Sequence, residues 1–507
     1  MAGTRIARRL GYRQVTGILA VAGLLALVPA DLAVTAAHPG TEMLRLGRGL
    51  LTPDVAAIDL RALVNTVAFA VLGVGLGGTA GFLLALAFPR WRAVRLFCAL
   101  LRAIHELFWA LILMQALGLG PLTGVLAIAL PYAGIFAKVF SDLLDEADAS
   151  ALRVLPAGTG AVSAYAYARL PQCARAFGRY TLYRLECGLR STLVLGFIGL
   201  PTIGFDLDGY FKRGDYSQAA ALLLAFYGLI ASRRLWARPA TAVPLVLASL
   251  LVLPAGLPAA HVAANLARLA THDMVPAPLR GADLATAAPW GAAARWLWAI
   301  LRDQALPGAV QSLVLSQVAL VAMALLAFLL VPLSCRRFTG PVGRTLGRGL
   351  LLVLRSTPDY MLAYVLLQTL GPSMLPAVLA LTLHNGAVVG MLAGRQADDF
   401  AYRPDAPRGL ALFGYETVPR LYGAFLAYCL YRWEIVLRES AIFGILGVTT
   451  LGFYVDAALS ELRIDVAVVL VLATAALSMA VDAASRALRR GLRIETAPVR
   501  LGADHGA

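Results

Sequence analysis

The sequence predicts an all-α polytopic membrane protein of about twelve transmembrane helices, arranged as two parallel six-helix repeats. Composition, apolar run length and self-similarity predict it. Hydrophobic residues make up 60% of the 507 residues and charged residues only 14%, against roughly 45–50% and about 25% in soluble domains. The mean hydropathy is +0.75. The apolar residues gather into runs long enough to cross a bilayer, and the second half of the chain repeats the first in the same order. A water-soluble core cannot hide an apolar excess of this size. The composition therefore excludes a string of soluble domains, a DNA-binding protein, a secreted disulfide scaffold and a disordered chain.

A spanning helix needs about 20 mostly apolar residues. Such runs fall near 14–34, 61–88, 97–118, 121–141, 189–209 and 217–234. Six more fall near 241–262, 308–334, 350–371, 374–394, 437–459 and 465–485. Gly-rich stretches around 196–204 and 444–452 leave two of these runs open as broken or re-entrant segments. Arg5, Arg8, Arg9 and Arg13 precede the first run, which reads as a retained helix rather than a cleaved signal peptide.

Charge then sets the orientation. The net charge is +15, and only Lys138 and Lys212 are lysines. Basic residues concentrate in short cytoplasmic loops. That rule places 90–95, 142–188, 233–238, 335–348, 395–432 and the tail from Arg486 inside, with both termini cytoplasmic. It leaves 35–60 and 263–307 outside, the latter with Trp290, Trp296 and Trp298 suited to an interfacial belt. The five cysteines form no CxxC pair and none sits with His at zinc spacing, so they read as free thiols and no metal site is expected.

Residues 180–205 and 428–453 match at 12 of 26 positions with a constant shift of 248. Tyr180, Tyr183, Arg184, Glu186 and Arg190 fall on Tyr428, Tyr431, Arg432, Glu434 and Arg438. Arg102 to Glu106 aligns with Arg355 to Asp359 at a shift of 253, which also brings Gln115 onto Gln368 and Gly118 onto Gly371. The repeat defines halves of 1–236 and 237–507, each with six spans in the same orientation. Two equivalent halves place a pathway at their interface.

Each half carries a long basic segment, 142–188 and 395–436, with a late proline, Pro171 and Pro419. Segments of this length are functional or disordered. The economical reading is a short helix on the cytoplasmic face that meets a partner; a plain connector is the alternative. Charges inside spans are costly and functional by default. Arg102/Glu106, Arg355/Asp359, Glu186/Arg190 and Glu434/Arg438 are spaced four apart, so each pair shares a helix face and can neutralise itself. The sharper reading is a lining for an oxyanion path, since Arg offers a bidentate fork. Gln115, Gln368, His384 and Asn385 line that path or bond between helices. Gly196, Gly199 and Gly204, with Gly444, Gly447 and Gly452, permit close helix contact, or a gate at Gly199 and Gly447.

In these loops the sequence resembles the EAA loop of ATP-binding-cassette importer permeases, with Gly158 thirteen residues before Pro171 and Gly409 ahead of Pro419. Leu-Pro-Gln172, Tyr-Thr-Leu-Tyr-Arg-Leu-Glu186, Arg190, Leu-Gly-Phe-Ile-Gly199 and Ile-Gly204 look like the phosphonate-type permeases. So do Tyr431-Arg-Trp-Glu434 through Gly452, and Arg355-Ser-Thr-Pro-Asp359. The resemblance covers most of both halves and implies two permease units fused in one chain, with the type I ABC importer transmembrane fold. It implies a bacterial inner-membrane permease that moves phosphonate, phosphite or a related phosphorus oxyanion by alternating access. Gly158, Pro171, Gly409 and Pro419 would mark the ATPase-coupling loops. No GxxxxGK[ST] phosphate loop occurs in the chain, so ATP and Mg are expected on a separate homodimeric ATPase at the cytoplasmic face, with no cofactor bound by this chain. A periplasmic solute-binding protein would deliver ligand, and no nucleic-acid partner is expected.

Two alternatives stay open: a permease for another small polar solute, and an ion-coupled secondary transporter using Glu106 and Asp359, which an inverted repeat would favour. An intramembrane enzyme needs HExxH, paired Asp or Ser–His, and the six histidines (His38, His105, His261, His272, His384, His505) are scattered.

Overall fold

A computed structural model describes residues 11–148, 150–153, 155–156, 158–253 and 259–492, and all regular structure among them is helical. Arg5, Arg8, Arg9, His505 and the end of the basic tail lie outside the described residues. The first repeat holds α1 (Tyr12–Leu27), α2 (Pro39–Leu51), α3 (Leu60–Ala87), α4 (Arg92–Ala103), α5 (Glu106–Leu117), α6 (Pro121–Asp145), α7 (Leu170–Phe197), α8 (Ile203–Arg213) and α9 (Tyr216–Trp236). The second holds α10 (Ala242–Val252), α11 (Ala259–Arg268), α12 (Ala287–Ile300), α13 (Leu306–Ser334) and α14 (Arg336–Ser356). It continues through α15 (Asp359–Leu370), α16 (Leu375–Asp398), α17 (Val418–Ser440), α18 (Leu451–Ser460) and α19 (Ile464–Gly491).

Among the described residues six helices are long and apolar enough to cross a membrane: α3, α6, α9, the continuous Ala287–Ser334 helix containing α12 and α13, α16, and α19. Two bent pairs, α4 with α5 and α14 with α15, raise the number to eight if each is one span. The described residues are thus those of a helical, multi-pass membrane protein. The other four expected runs are short or interrupted. α1 has 16 residues, about 24 Å of helix, and α10 has 11. The runs 189–209 and 437–459 are broken by glycine turns.

Those turns show why glycine recurs there. Gly199 and Gly447 sit at φ +94° and +89°, a left-handed conformation that glycine enters without a Cβ penalty. A Cβ on Gly196 would overlap the backbone of Phe205, and one on Gly204 would overlap Leu193 O. Gly444 and Gly452 stand in the same relation to Phe453 and Ala441. The chain folds back on itself at backbone contact, so close packing accounts for Gly196, Gly204, Gly444 and Gly452.

The bends also have a local cause. α4 and α5 meet at 94°, α14 and α15 at 88°. Pro358 pushes the preceding residue out of the helical region, and Thr357 is extended at φ −70°, ψ 121°. The first repeat has His105 at this place; Ile104 is extended at φ −88°, ψ 129°, and His105 Nδ1 accepts the Leu107 N–H at 3.2 Å. The expectation that Arg102/Glu106 and Arg355/Asp359 are pairs on one helix is therefore corrected. Each pair straddles a helix break, and spacing by four no longer implies a shared face.

Chain contacts define two compact units. One contains the described residues within 45–293 and 462–471. There α3 packs along α6, which also carries α4, α5 and α7. Phe69, Ile128, Phe136 and Leu195 sit in its core. The other contains the described residues within 1–44, 294–461 and 472–500. There α13 packs along α16, which carries α14, α15 and α17. Each unit thus packs a long helix, a bent pair and a proline-led helix on one central helix. The leading helices are traded: α10 lies against α3 in the first unit, and α1 lies against α13 in the second, where Gln317 Nε2 donates to Leu19 O at 2.9 Å.

Candidate functional site

In the first unit a polar chain gathers at the helix break. Glu106 is the first residue of α5, and its Oε1 accepts from Ser191 Oγ on α7 at 2.7 Å. Ser191 Oγ also lies 3.4 Å from the Tyr132 hydroxyl on α6. His105 Nε2 is 3.8 Å from Glu106. One element, the break, is thereby tied to two long helices. Glu186 is 3% exposed and bonds Arg233 Nη2 on α9 at 3.0 Å; burial leaves this carboxylate dependent on its cation. Arg190, one turn after Glu186, donates to Cys187 Sγ at 3.4 Å. Glu186 thus takes a cation from another helix.

The second unit places different residues at the same posts. His384 on α16 lies with Nδ1 2.9 Å from Thr357 O, the carbonyl at the break. A carbonyl only accepts, so Nδ1 carries the proton. Asn385 Nδ2 donates to Leu381 O at 3.1 Å and reaches Glu439 Oε2 on α17 at 3.4 Å. Asp359, His384 and Asn385 are all buried. Glu434 and Arg438 sit half-buried on α17, Gln115 half-buried on α5, and Gln368 exposed on α15. Tyr132, Ser191, Arg233 and Glu439 were not picked out from the sequence. The signal for two of them was present: Glu439 lies 248 residues after Ser191, the shift of the repeat.

The basic loops share one construction. Gly158 and Gly409 both have positive φ, +92° and +61°. A π-turn follows in each, Tyr165–Arg169 and Phe413–Thr417, then Pro171 and Pro419 in the first turn of α7 and α17. Proline has no N–H and its ring crowds the carbonyl four residues back. The ladder widens ahead of it, and Leu170 and Val418 donate to carbonyls five residues back, Tyr165 and Phe413. In the first loop the Asp148 N–H donates to Gln172 Oε1 at 3.0 Å. The Ser150 hydroxyl and N–H hold the Asp148 carboxyl below the usual carboxylate range. In the second loop Arg403 bonds Glu416 at 2.8 Å, and Arg420 stacks over Phe400 at 4.6 Å while donating to Ala401 O at 3.0 Å. No cluster of three or more His, Cys, Asp or Glu among the described residues is placed to hold a metal ion.

Long apolar helices, two bent pairs and two proline-led loops describe a multi-pass membrane protein. Comparison with known proteins narrows it. The chain is 27% identical over 489 residues to the phosphate-import permease protein PhnE of Mycolicibacterium smegmatis, covering 87% of this chain and 86% of that protein. It is 30% identical over 204 residues to the putative phosphite transport system permease protein HtxC of Stutzerimonas stutzeri, covering 36% of this chain and 72% of that protein. The same organism's putative phosphite transport system permease protein HtxE is 35% identical over 138 residues, covering 53% of its length. The chain belongs to the phosphonate-type permease family of ATP-binding-cassette importers. No family model matches it, and no solved structure matches it.

Proposed function

We propose that this chain supplies two fused permease units of an ATP-driven importer for a phosphorus oxyanion, phosphate, phosphite or a phosphonate. The observation that carries the reading is near full-length relatedness to a phosphate-import permease, together with a duplicated loop of glycine, π-turn and proline. A homodimeric ATPase holding ATP and Mg2+ takes one loop from each half, around Gly158–Pro171 and Gly409–Pro419. A periplasmic binding protein hands ligand to the outer face. Twelve crossings follow when the six long helices and two bent pairs are joined by α1, α10 and the two glycine-broken runs. Arginine then puts both termini in the cytoplasm of a bacterial inner membrane.

ATP closure of the ATPase moves the loops, and α7 and α17 carry that motion inward. Pro171 to Ser191 and Pro419 to Glu439 are each 21 residues of helix, about 30 Å of rigid lever from end to end. Each lever ends on a polar link to α5 or α16 at or beside the break. Arg102, Arg355, Arg190 and Arg438 supply cations along the two halves, with Gln115 and Gln368 as neutral donors. The test is uptake by proteoliposomes holding this chain, the ATPase and the binding protein encoded beside it. Phosphate, phosphite and methylphosphonate are compared with sulfate and with a neutral solute. ATP-dependent uptake of one phosphorus anion supports the reading; uptake of the neutral solute alone moves the chain to another substrate class, and uptake driven by an ion gradient without ATP ends the importer reading.

A further inference from the structure

One cation in the first unit has a different setting from all those above. Arg184 on α7 donates from Nε to the Tyr180 hydroxyl at 2.8 Å. Its guanidinium lies over three tyrosine rings: Tyr180 at 5.2 Å, Tyr183 at 5.5 Å and Tyr132 at 5.8 Å. Among the described residues no carboxylate pairs with it. Among the described residues Nη1 and Nη2 make no hydrogen bond, and Arg184 is part-buried. Stacking on aromatic faces stabilises a cation without cancelling its charge.

The cage is also fixed from behind. Tyr180 meets Phe136 edge-on at 5.5 Å and Phe140 at 6.3 Å. Tyr132 meets Phe136 at 6.4 Å, and the Tyr132 hydroxyl points into the Ser191–Glu106 link. The repeat keeps Arg432 at the matching position of α17. There Tyr431 faces Arg489 at 5.7 Å and Tyr428 donates to Gln396 at 3.1 Å, so the three-tyrosine cage belongs to the first half.

We infer that Arg184, held by Tyr132, Tyr180 and Tyr183, is an oxyanion-binding residue of the permease, presenting Nη1 and Nη2 to two oxygens of a tetrahedral phosphorus anion. A guanidinium fork matches two such oxygens, which a lysine ammonium does not. An uncancelled cation in an apolar unit is costly, and a site that binds and releases an anion needs that charge. The inference rests on the proposed permease reading and supplies its substrate contact. Glu186 and Arg233, which already neutralise each other, do not serve.

The test uses the full chain assembled with its ATPase and binding protein in proteoliposomes, with labelled phosphite and inorganic phosphate as probes. Arg184→Lys, Arg184→Gln and Tyr183→Phe are compared, and uptake is expressed per assembled complex recovered from a sizing column. Losing a bidentate charged contact lowers uptake about 10- to 100-fold, and the loss appears in both Arg184 variants because the fork matters as well as the charge. Tyr183→Phe keeps the ring face under the guanidinium, so its uptake falls less than that of Arg184→Lys. Uptake per complex within about twofold in Arg184→Lys overturns the assignment, as does full activity in Arg184→Gln. Wild type carrying neither of these anions nor methylphosphonate instead ends the oxyanion reading itself, so the two failures are separable.

Discussion

At the scale of the residue, charge inside the spans was legible in the sequence and its partners were not. Glu106, Asp359, Glu186 and Asn385 stand out as polar groups in apolar runs, and all four make or adjoin polar links in the fold. Arg233, at a helix end, reads as an ordinary cytoplasmic flank, and only folding brings it within 3.0 Å of Glu186. Ser191 and Tyr132 are chemically ordinary, and spacing along one helix cannot point across to another. The Glu186–Arg233 pair carries a direct prediction. Removing one member of a buried ion pair leaves the other uncompensated and costs about 3–5 kcal/mol. Glu186→Gln is therefore expected to lower the melting temperature of the purified chain sharply, with Arg233→Gln, which leaves Glu186 its other contacts, lowering it less. The double variant recovers much of the loss, because neither charge is then stranded. Two single variants that melt like wild type would show that the pair is not stabilising.

At the scale of the element, glycine-rich stretches marked two broken runs in the sequence, but the breaks at Pro358 and His105 were read through as the single spans 350–371 and 97–118. Pro358 marks a break; His105 makes the same break by capping, which apolar periodicity does not register. Because Ile104 is extended and His105 has φ −67°, proline fits this post without strain. His105→Ala loses the cap and costs about 0.5–2 kcal/mol. His105→Pro loses the same cap but restricts the unfolded chain, which returns about 0.4–1 kcal/mol. Thermal unfolding in detergent should rank wild type at or above the proline variant and the alanine variant last; alanine above proline would contradict the capping account. The glycine turns give a parallel expectation. Gly204→Ala and Gly452→Ala each force a Cβ onto backbone, and overpacking costs about 1–3 kcal/mol or more. Gly160→Ala meets open space and has a normal φ, so it serves as the silent control in the same melting assay.

At the scale of the molecule, the duplication was readable because close-packed glycines, Tyr–Arg–Glu runs and Leu-Pro or Val-Pro steps recur at a constant shift. What the repeat could not say is which copy of the first helix joins which unit. The traded positions of α1 and α10 depend on contacts between segments hundreds of residues apart, and nothing in a local pattern encodes them. Fusion of the halves has a functional consequence that can be measured. In a permease of two separate identical chains, both loops are the same; here they differ. Gly158 lies thirteen residues before Pro171, whereas Gly409 lies ten before Pro419, and the second loop is clamped by Arg403–Glu416 and by Arg420 on Phe400. If the ATPase dimer grips both loops in one stroke, each is indispensable and neither can be complemented by its twin. A proline inserted after Gly158 and, separately, after Gly409 is expected to abolish ATP-dependent phosphite uptake while the chain still reaches the membrane in normal amount. Glu416→Gln, which loosens only the clamp, should lower uptake partially, since Arg420 still holds the loop to Ala401 and Phe400. Membrane-fraction immunoblots alongside uptake separate coupling from insertion. Undiminished uptake in either insertion variant would mean that one loop suffices, and the two-handed grip proposed for this chain would have to be given up.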